Sequence, residues 1–302
     1  MSTSLQIRRI KELSDPLVPE PTDMQPDLRK IHSIGCVVFD FYGTMFISGS
    51  GDLKIEFDPR PEHVRLFVQA LRDAGYSAHK DAVAPALENF NRIIQAKTKA
   101  AQAHGTVYPE FDIRRIWEQV LVRLETEGWI TGNVTFSGAQ RFALEFECRF
   151  NPACPMPDLE EVLARLSTRN IPLGVLSNSQ FYTPLIFEAL TGMKLQTAGF
   201  DADLLCWSYQ VGEKKPGHSL FRQLLQTIRE KYSLPPERVL YVGNDAGNDV
   251  LPGKECGMRT ALFAGDKRSL KMDAEKGHDP AGNPDLVLTR LDQLPQCIQE
   301  IS

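Results

Sequence analysis

Hydrophobic and polar positions along this chain follow two rhythms. Short continuous apolar runs stop on polar residues at 36–39, 171–176, 204–207, 239–242, 259–263 and 285–288. Such runs predict strands buried on both faces, as in a parallel sheet. Between residues 61 and 150 the spacing is helical: Val64, Phe67, Val68 and Leu71; Leu87, Phe90, Ile93 and Ile94; Ile113, Ile116, Trp117, Val120 and Leu124; Phe142, Phe146 and Phe150. Further helices are predicted at 158–167, with an acidic first turn, and at 219–231. Strands alternating with helices predict an α/β fold with a doubly wound parallel sheet, and the helical block reads as a separate lid inserted after the first strand. Residues 1–33, with Pro16, Pro19, Pro21 and Pro26, predict an extended arm lying on the body. Ser48-Gly49-Ser50-Gly51 has the glycines of a flap over the first strand end.

Composition narrows the class. The 302 residues are 42% hydrophobic and 24% charged, ordinary for a globular protein with one large or two moderate domains. A net charge of −5 without a basic stripe argues against nucleic acid as a partner. The sequence has no apolar stretch of transmembrane length and no secretory leader pattern, so the expectation is a cytoplasmic protein without a membrane partner. Cys36, Cys148, Cys154, Cys206, Cys256 and Cys297 are scattered without a Cys-x-x-Cys pair, which fits reduced thiols. No Gly-x-Gly-x-x-Gly follows the first strand, which argues against a dinucleotide oxidoreductase.

The chemistry sits where strands end. Asp40 closes the first run, Ser177 and Asn178 close the second, and Gly243-Asn244-Asp245-Ala246-Gly247-Asn248-Asp249 follows 239–242, with Lys215-Pro216 ahead of the helix at 219. Open α/β sheets bind ligands at the carboxyl ends of their strands. A carboxylate, anion-binding donors and a cation would converge there. Taken singly, each has a plain reading: Asp40 or Thr44 closing a turn, Ser177 and Asn178 capping a helix, Lys215 in solvent.

In this order, Asp-x-Tyr-Gly-Thr, Ser-Asn, Lys-Pro with Phe221 six residues on, and Gly-Asn-Asp-Ala-Gly-Asn-Asp, the motifs resemble the haloacid dehalogenase-like hydrolase superfamily over about residues 34–265. The resemblance implies a Rossmann-like core at 34–57 and 156–302, a helical cap at 58–155 and an extension at 1–33. It also implies that Asp40 attacks a small anionic substrate to form a covalent aspartyl ester or phosphate, later hydrolysed. Thr44 and Ser177 would donate hydrogen bonds, Asn178 would orient the nucleophile, Lys215 would neutralise charge, and Asp249 would hold a metal or steer water.

Two departures from the family pattern pull in opposite directions. Phosphatases of this superfamily carry a second Asp where this chain has Tyr42, and losing that acid costs on the order of 10²–10⁴ in rate for an alkoxide leaving group. A halide leaves without a proton, so Tyr42 resembles the dehalogenase branch. The alternative is a phosphatase whose Mg²⁺ is held by Asp40, the Tyr42 backbone carbonyl, and Asn244 or Asp245, with Asn offering a neutral oxygen. A third reading, from another class, is a non-catalytic relative that binds a small anion or a partner protein. Arg92, Arg114, Arg115, Lys97 and Lys99 are the helical-block cations that substrate could meet. Substrate identity and oligomeric state stay open at this level.

Overall fold

The computed structural model describes residues 2–50, 60–272 and 283–299. Gly51 of the expected flap, the expected boundary between core and cap at 57 and 58, and the expected end of the core at 302 lie outside the described residues. In chain order the first elements are α1 (Thr3–Leu13), β1 (Cys36–Phe39), β2 (Phe46–Ser48), α2 (Pro61–Ala74), β3 (Ser77–Ala78), α3 (Val83–Ala103), α4 (Ile113–Thr126), β4 (Ile130–Thr131), α5 (Phe136–Phe150) and β5 (Ala153–Pro155). Then follow α6 (Leu159–Ser167), β6 (Leu173–Ser177), α7 (Thr183–Thr191), β7 (Phe200–Trp207), α8 (Ser208–Val211), α9 (Ser219–Tyr232), β8 (Val239–Gly243), α10 (Leu251–Glu255), β9 (Arg259–Phe263), β10 (Leu286–Leu288) and α11 (Leu294–Cys297).

Six strands form one sheet in the order β10-β9-β8-β1-β6-β7, every neighbouring pair parallel. The Cys-Val-Val-Phe of β1 is wholly buried because it lies in mid-sheet between β6 and β8 and under helices on both faces. Val38 aligns with Gly174 and Tyr241, and Gly174 permits that fit: a Cβ there would come within 3.1 Å of Leu204 Cβ. The strand β7 begins at Phe200, four residues earlier than its apolar run, because Asp201 and Asp203 are tied by Lys231 rather than excluded from the edge.

The antiparallel pair β2 and β5 carries the chain out of the sheet and back again. Between them α2, α3, α4 and α5 pack around aromatic side chains. The rings of Trp117 and Phe142 are 4.8 Å apart, those of Trp117 and Phe90 4.7 Å, and those of Phe67 and Phe142 5.3 Å. Burying each such side chain contributes roughly 1.5–3 kcal/mol. A two-residue strand pair, β3 with β4, interrupts the block, a feature too short for periodicity to reveal.

The amino-terminal segment departs from its expectation. Residues 3–13 are helical, not extended, since prolines begin only at Pro16 and Ile10 has an apolar site to fill, where it is fully buried. The helix α1 contacts both α7 and α5. Arg9 on α1 reaches Glu145 of α5 at 2.7 Å and Asp73 of α2 at 2.8 Å. The rest of the segment does run along the body: Asp27 exchanges backbone hydrogen bonds with Val287 at the sheet edge, and Thr22 Oγ1 donates to Ala264 O. All six cysteines are free thiols. No helix among the described residues is long and apolar enough to cross a membrane.

Candidate active site

The site lies on the carboxyl edge of β1, β6 and β8. One residue past β1, the Asp40 N–H still donates to Val242 O at 2.8 Å, so the ladder holds the backbone while the side chain leaves the sheet. Only 7% of Asp40 is exposed. The chain then turns through Gly43 at φ 82°, a left-handed conformation that favours glycine. A Cβ there would also lie 2.5 Å from Asn244 Nδ2 and 2.7 Å from Ser269 Cβ. Gly43 is thus required twice, by its backbone and by the close approach of the β8 loop.

Lys215, at the start of the segment leading to α9, is 4% exposed and points into the sheet edge. Its Nζ stands 2.9 Å from Asp40 Oδ1 and 2.5 Å from Asp249 Oδ1. It also donates to the Tyr241 hydroxyl at 2.9 Å, which in turn has Leu176 O at 2.9 Å and Asp249 Oδ1 at 3.0 Å as acceptors for its own proton. Burial opposes the ammonium, but Asp249 and Asp40 outweigh it and hold Lys215 above its ordinary range. Burial pushes the Asp249 carboxyl upward while the same ammonium pulls it down. Of the two, the ammonium, shared by two carboxyl groups, is the member whose charge is secure.

Asn178 fixes Lys215 from the backbone side. Its Oδ1 accepts from Lys215 N at 2.7 Å and its Nδ2 donates to Lys215 O at 3.2 Å. Ser177, 1% exposed, has a hydroxyl with no hydrogen-bond partner. Thr44 Oγ1 donates to Asn244 Oδ1 at 3.0 Å and does not line the cavity. The Tyr42 phenol is 3.2 Å from Thr183 Oγ1, and burial, then the charge of Glu147, holds it well above its ordinary range.

Above this edge opens a cavity of about 1000 Å³. Asp40, Tyr42, Ser177, Asn178, Lys215 and the 244–249 loop form its floor, and Phe90, Trp117, Phe146 and Glu147 are in its helical wall. Among the described residues no arginine lines it. Arg92 bonds Asn89 and Arg115 bonds Glu118, while Arg114 is held by Asp112 with its guanidinium 4.9 Å from the Phe181 ring. Lys97 and Lys99 are likewise not lining residues; Lys214, Lys215 and Lys271 are.

The polar groups where Mg²⁺ would sit are largely engaged with one another. Asn244 Oδ1 accepts from Thr44, and Asn244 Nδ2 donates to Ser269 O at 2.6 Å. Asp245 turns into its own loop, accepting from Gly247 N and Asn248 N, both at 2.9 Å, and from Asn248 Nδ2. Asp249 is taken by Lys215, Tyr241 and Asp245 N. Among the described residues no three His, Cys, Asp or Glu side chains gather as a metal-holding group. Mg²⁺ keeps several waters and takes only one or two carboxylates, so Asp40 on the cavity floor and the Asn244 carbonyl oxygen, which accepts a single hydrogen bond, fit as the residues that would hold it, while Asp245 and Asp249 are engaged elsewhere.

The sequence pattern did not single out four residues that line the cavity: Glu147, Tyr182, Gln180 and Ser269. Gln180 ties the β6 loop to the start of α4, accepting from Ile113 N and donating to Phe111 O, both at 3.0 Å. For Glu147 a signal existed: two Glu residues interrupt the otherwise apolar Phe142-Ala143-Leu144-Glu145-Phe146-Glu147-Cys148. Ser269 and Gln180 carry no such signal.

Residues 34–257 match the family model of haloacid dehalogenase-like hydrolases. No curated protein matches the chain in sequence. Among solved structures, a 2-haloacid dehalogenase from Pseudomonas syringae pv. Tomato DC3000 is 19% identical, with a TM-score of 0.52 over 87% of this chain and 97% of the other. A HAD phosphatase from Thermococcus onnurineus is 18% identical, with a TM-score of 0.50 over the same shares. At these identities the likeness shows the fold.

Proposed function

Because the chain belongs to the haloacid dehalogenase-like hydrolase family, we propose that it hydrolyses a small anionic substrate through a covalent ester on Asp40, displacing a group from carbon as the dehalogenases do. The observation that carries this reading is Asp40 Oδ1 at the cavity floor, 2.9 Å from the buried Lys215 ammonium. That cation orients the carboxylate for attack and neutralises charge arriving with the substrate. Asn178 sets the position of Lys215, and the free Ser177 hydroxyl is a donor for the bound anion. The Tyr42 phenol, engaged with Thr183 and reluctant to ionise, is poorly placed to shuttle protons, which suits a leaving group that departs unprotonated.

In this reading residues 58–155 form the cap over the 34–57 and 156–302 core. The partner is a small molecule rather than nucleic acid or membrane, and free thiols support a cytoplasmic setting. Incubation with 2-chloropropionate, with chloride release measured against Asp40→Asn, tests the carbon branch. Release no greater than the control removes it for that substrate, and a mass increment trapped on Asp40 supports the covalent step.

A second reading, phosphoester hydrolysis, is favoured by the lack of a lining arginine to grip a substrate carboxylate among the described residues. Phosphate release from a panel of phosphorylated metabolites, with and without added Mg²⁺, separates the two.

A further inference from the structure

Two buried glutamates on α5 differ in what faces them. Glu145 meets Arg9 at 2.7 Å and also pairs with Arg149. Glu147, 8% exposed, has no such partner among the described residues: Oε1 accepts from Asn151 Nδ2 at 3.0 Å and Oε2 from the Tyr182 hydroxyl at 2.8 Å, both neutral donors. Burial consequently lifts its carboxyl above the ordinary range, with those two hydrogen bonds opposing. A carboxyl taken from water without a cation is costly to hold, and this one lines the cavity. Each of its oxygens keeps a lone pair for something bound there.

An independent mismatch exists in the same cavity. Ser177 Oγ and Ser269 Oγ belong to lining residues that are each 1% exposed, and neither hydroxyl has a hydrogen-bond partner among the described residues. Among the described residues the core side thus holds donors without acceptors beside the Lys215 ammonium, and the helical side holds an acceptor without a cation. Aromatic faces of Phe90, Trp117 and Phe146 line the space as well, and such faces attract ammonium groups.

We propose that the substrate is zwitterionic, its anionic group received by Ser177, Ser269 and Lys215 and its primary ammonium by Glu147. This rests on the reading of Asp40 as the reacting group and adds the class of molecule that reaches it. Asp40, Tyr42 and Glu147 all line the one cavity.

The test is binding, measured by calorimetry on Asp40→Asn protein so that turnover is not needed. Two matched pairs serve as probes: 2-aminoethyl phosphate against ethyl phosphate, and 3-chloroalanine against 3-chloropropionate. In at least one pair the amine should bind about tenfold tighter or more, the scale of a desolvated charge pair. Glu147→Gln, combined with Asp40→Asn, should erase that preference while leaving the amine-free member's affinity unchanged. Equal or tighter binding of the amine-free member in both pairs overturns the proposal, as does a preference that survives in Glu147→Gln protein that still unfolds in one cooperative transition. The pair that binds identifies the anion. A protein that prefers the amine yet never forms an adduct on Asp40 would retain this inference and lose the hydrolase reading, so the two fail separately.

Discussion

The ammonium of Lys215 stands 2.9 Å from Asp40 Oδ1 and shares itself with Asp249 on its other side. Three residues far apart in the chain are thereby locked into one charge arrangement, almost wholly out of water.

Replacing Lys215 with Met should therefore damage two properties at once. Breaking a buried ion pair by removing one partner costs about 3–5 kcal/mol, because Asp40 and Asp249 are left facing each other uncompensated. Turnover should fall on the order of 10²-fold or more with loss of the electrostatic partner. Thermal unfolding and kcat on any accepted substrate measure both, and a Lys215→Met enzyme of ordinary activity would show that the cation is structural only.

Tyr42→Phe should be mild. It removes the hydroxyl 3.2 Å from Thr183, a loss of about 1 kcal/mol. Since burial holds the phenol well above its usual range, it stays protonated at neutral pH and its removal should leave the pH profile of kcat unchanged between about pH 6 and 9. A profile that loses a limb in Tyr42→Phe protein would make the phenol a proton carrier.

Glu147 gives a stability signature with a definite sign. Burial raises its folded-state value above the ordinary 4.5. The stabilisation from its bound proton is full below that ordinary value and is lost as pH climbs through the folded one. Glu147→Gln lacks this loss, so its melting temperature relative to wild type should improve steadily from acid towards neutral pH. The neighbours Tyr182, Tyr42 and Cys148 are all pushed upward by burial and stay neutral over this interval, leaving Glu147 as the titrating member of these four. A pH-independent difference between the two proteins would mean that Glu147 ionises as freely as it does in the unfolded chain.

Arg9→Ala should lower stability without touching chemistry. Glu145, nearly inaccessible, would lose its 2.7 Å partner and keep only Arg149, at a cost of about 1–3 kcal/mol. Arg9 is absent from the cavity wall, so kcat and KM should each stay within about twofold. A large KM change would instead bring the Arg9 side chain itself into substrate binding.

What could be read from residue order was governed by local constraint. A strand buried on both faces must be apolar throughout, so a terminal Asp40, a Ser177-Asn178 pair and the 244–249 cluster stood out against it, and these do meet at one sheet edge. The cavity's upper wall was illegible for the opposite reason. Which face of α5 looks down at Asp40 depends on how α2 through α5 pack, and nothing local to Phe146-Glu147-Cys148 records that. Asp245 shows the same limit: its place beside Asn244 does not record that its side chain caps its own turn through two backbone N–H groups. The helix α1 was hidden by the prolines behind it, since eleven residues of modest propensity are marginal as a helix until α5 and α7 supply a surface.

That small helix has a further consequence. Ile10 and Arg9 fasten it simultaneously to the helices above the cleft and, through α7, to the layer beneath. Any hinge that widens the mouth must either carry this clasp along or peel it away, so trimming the first fourteen residues would change how fast molecules enter and leave while every reacting atom stayed in place.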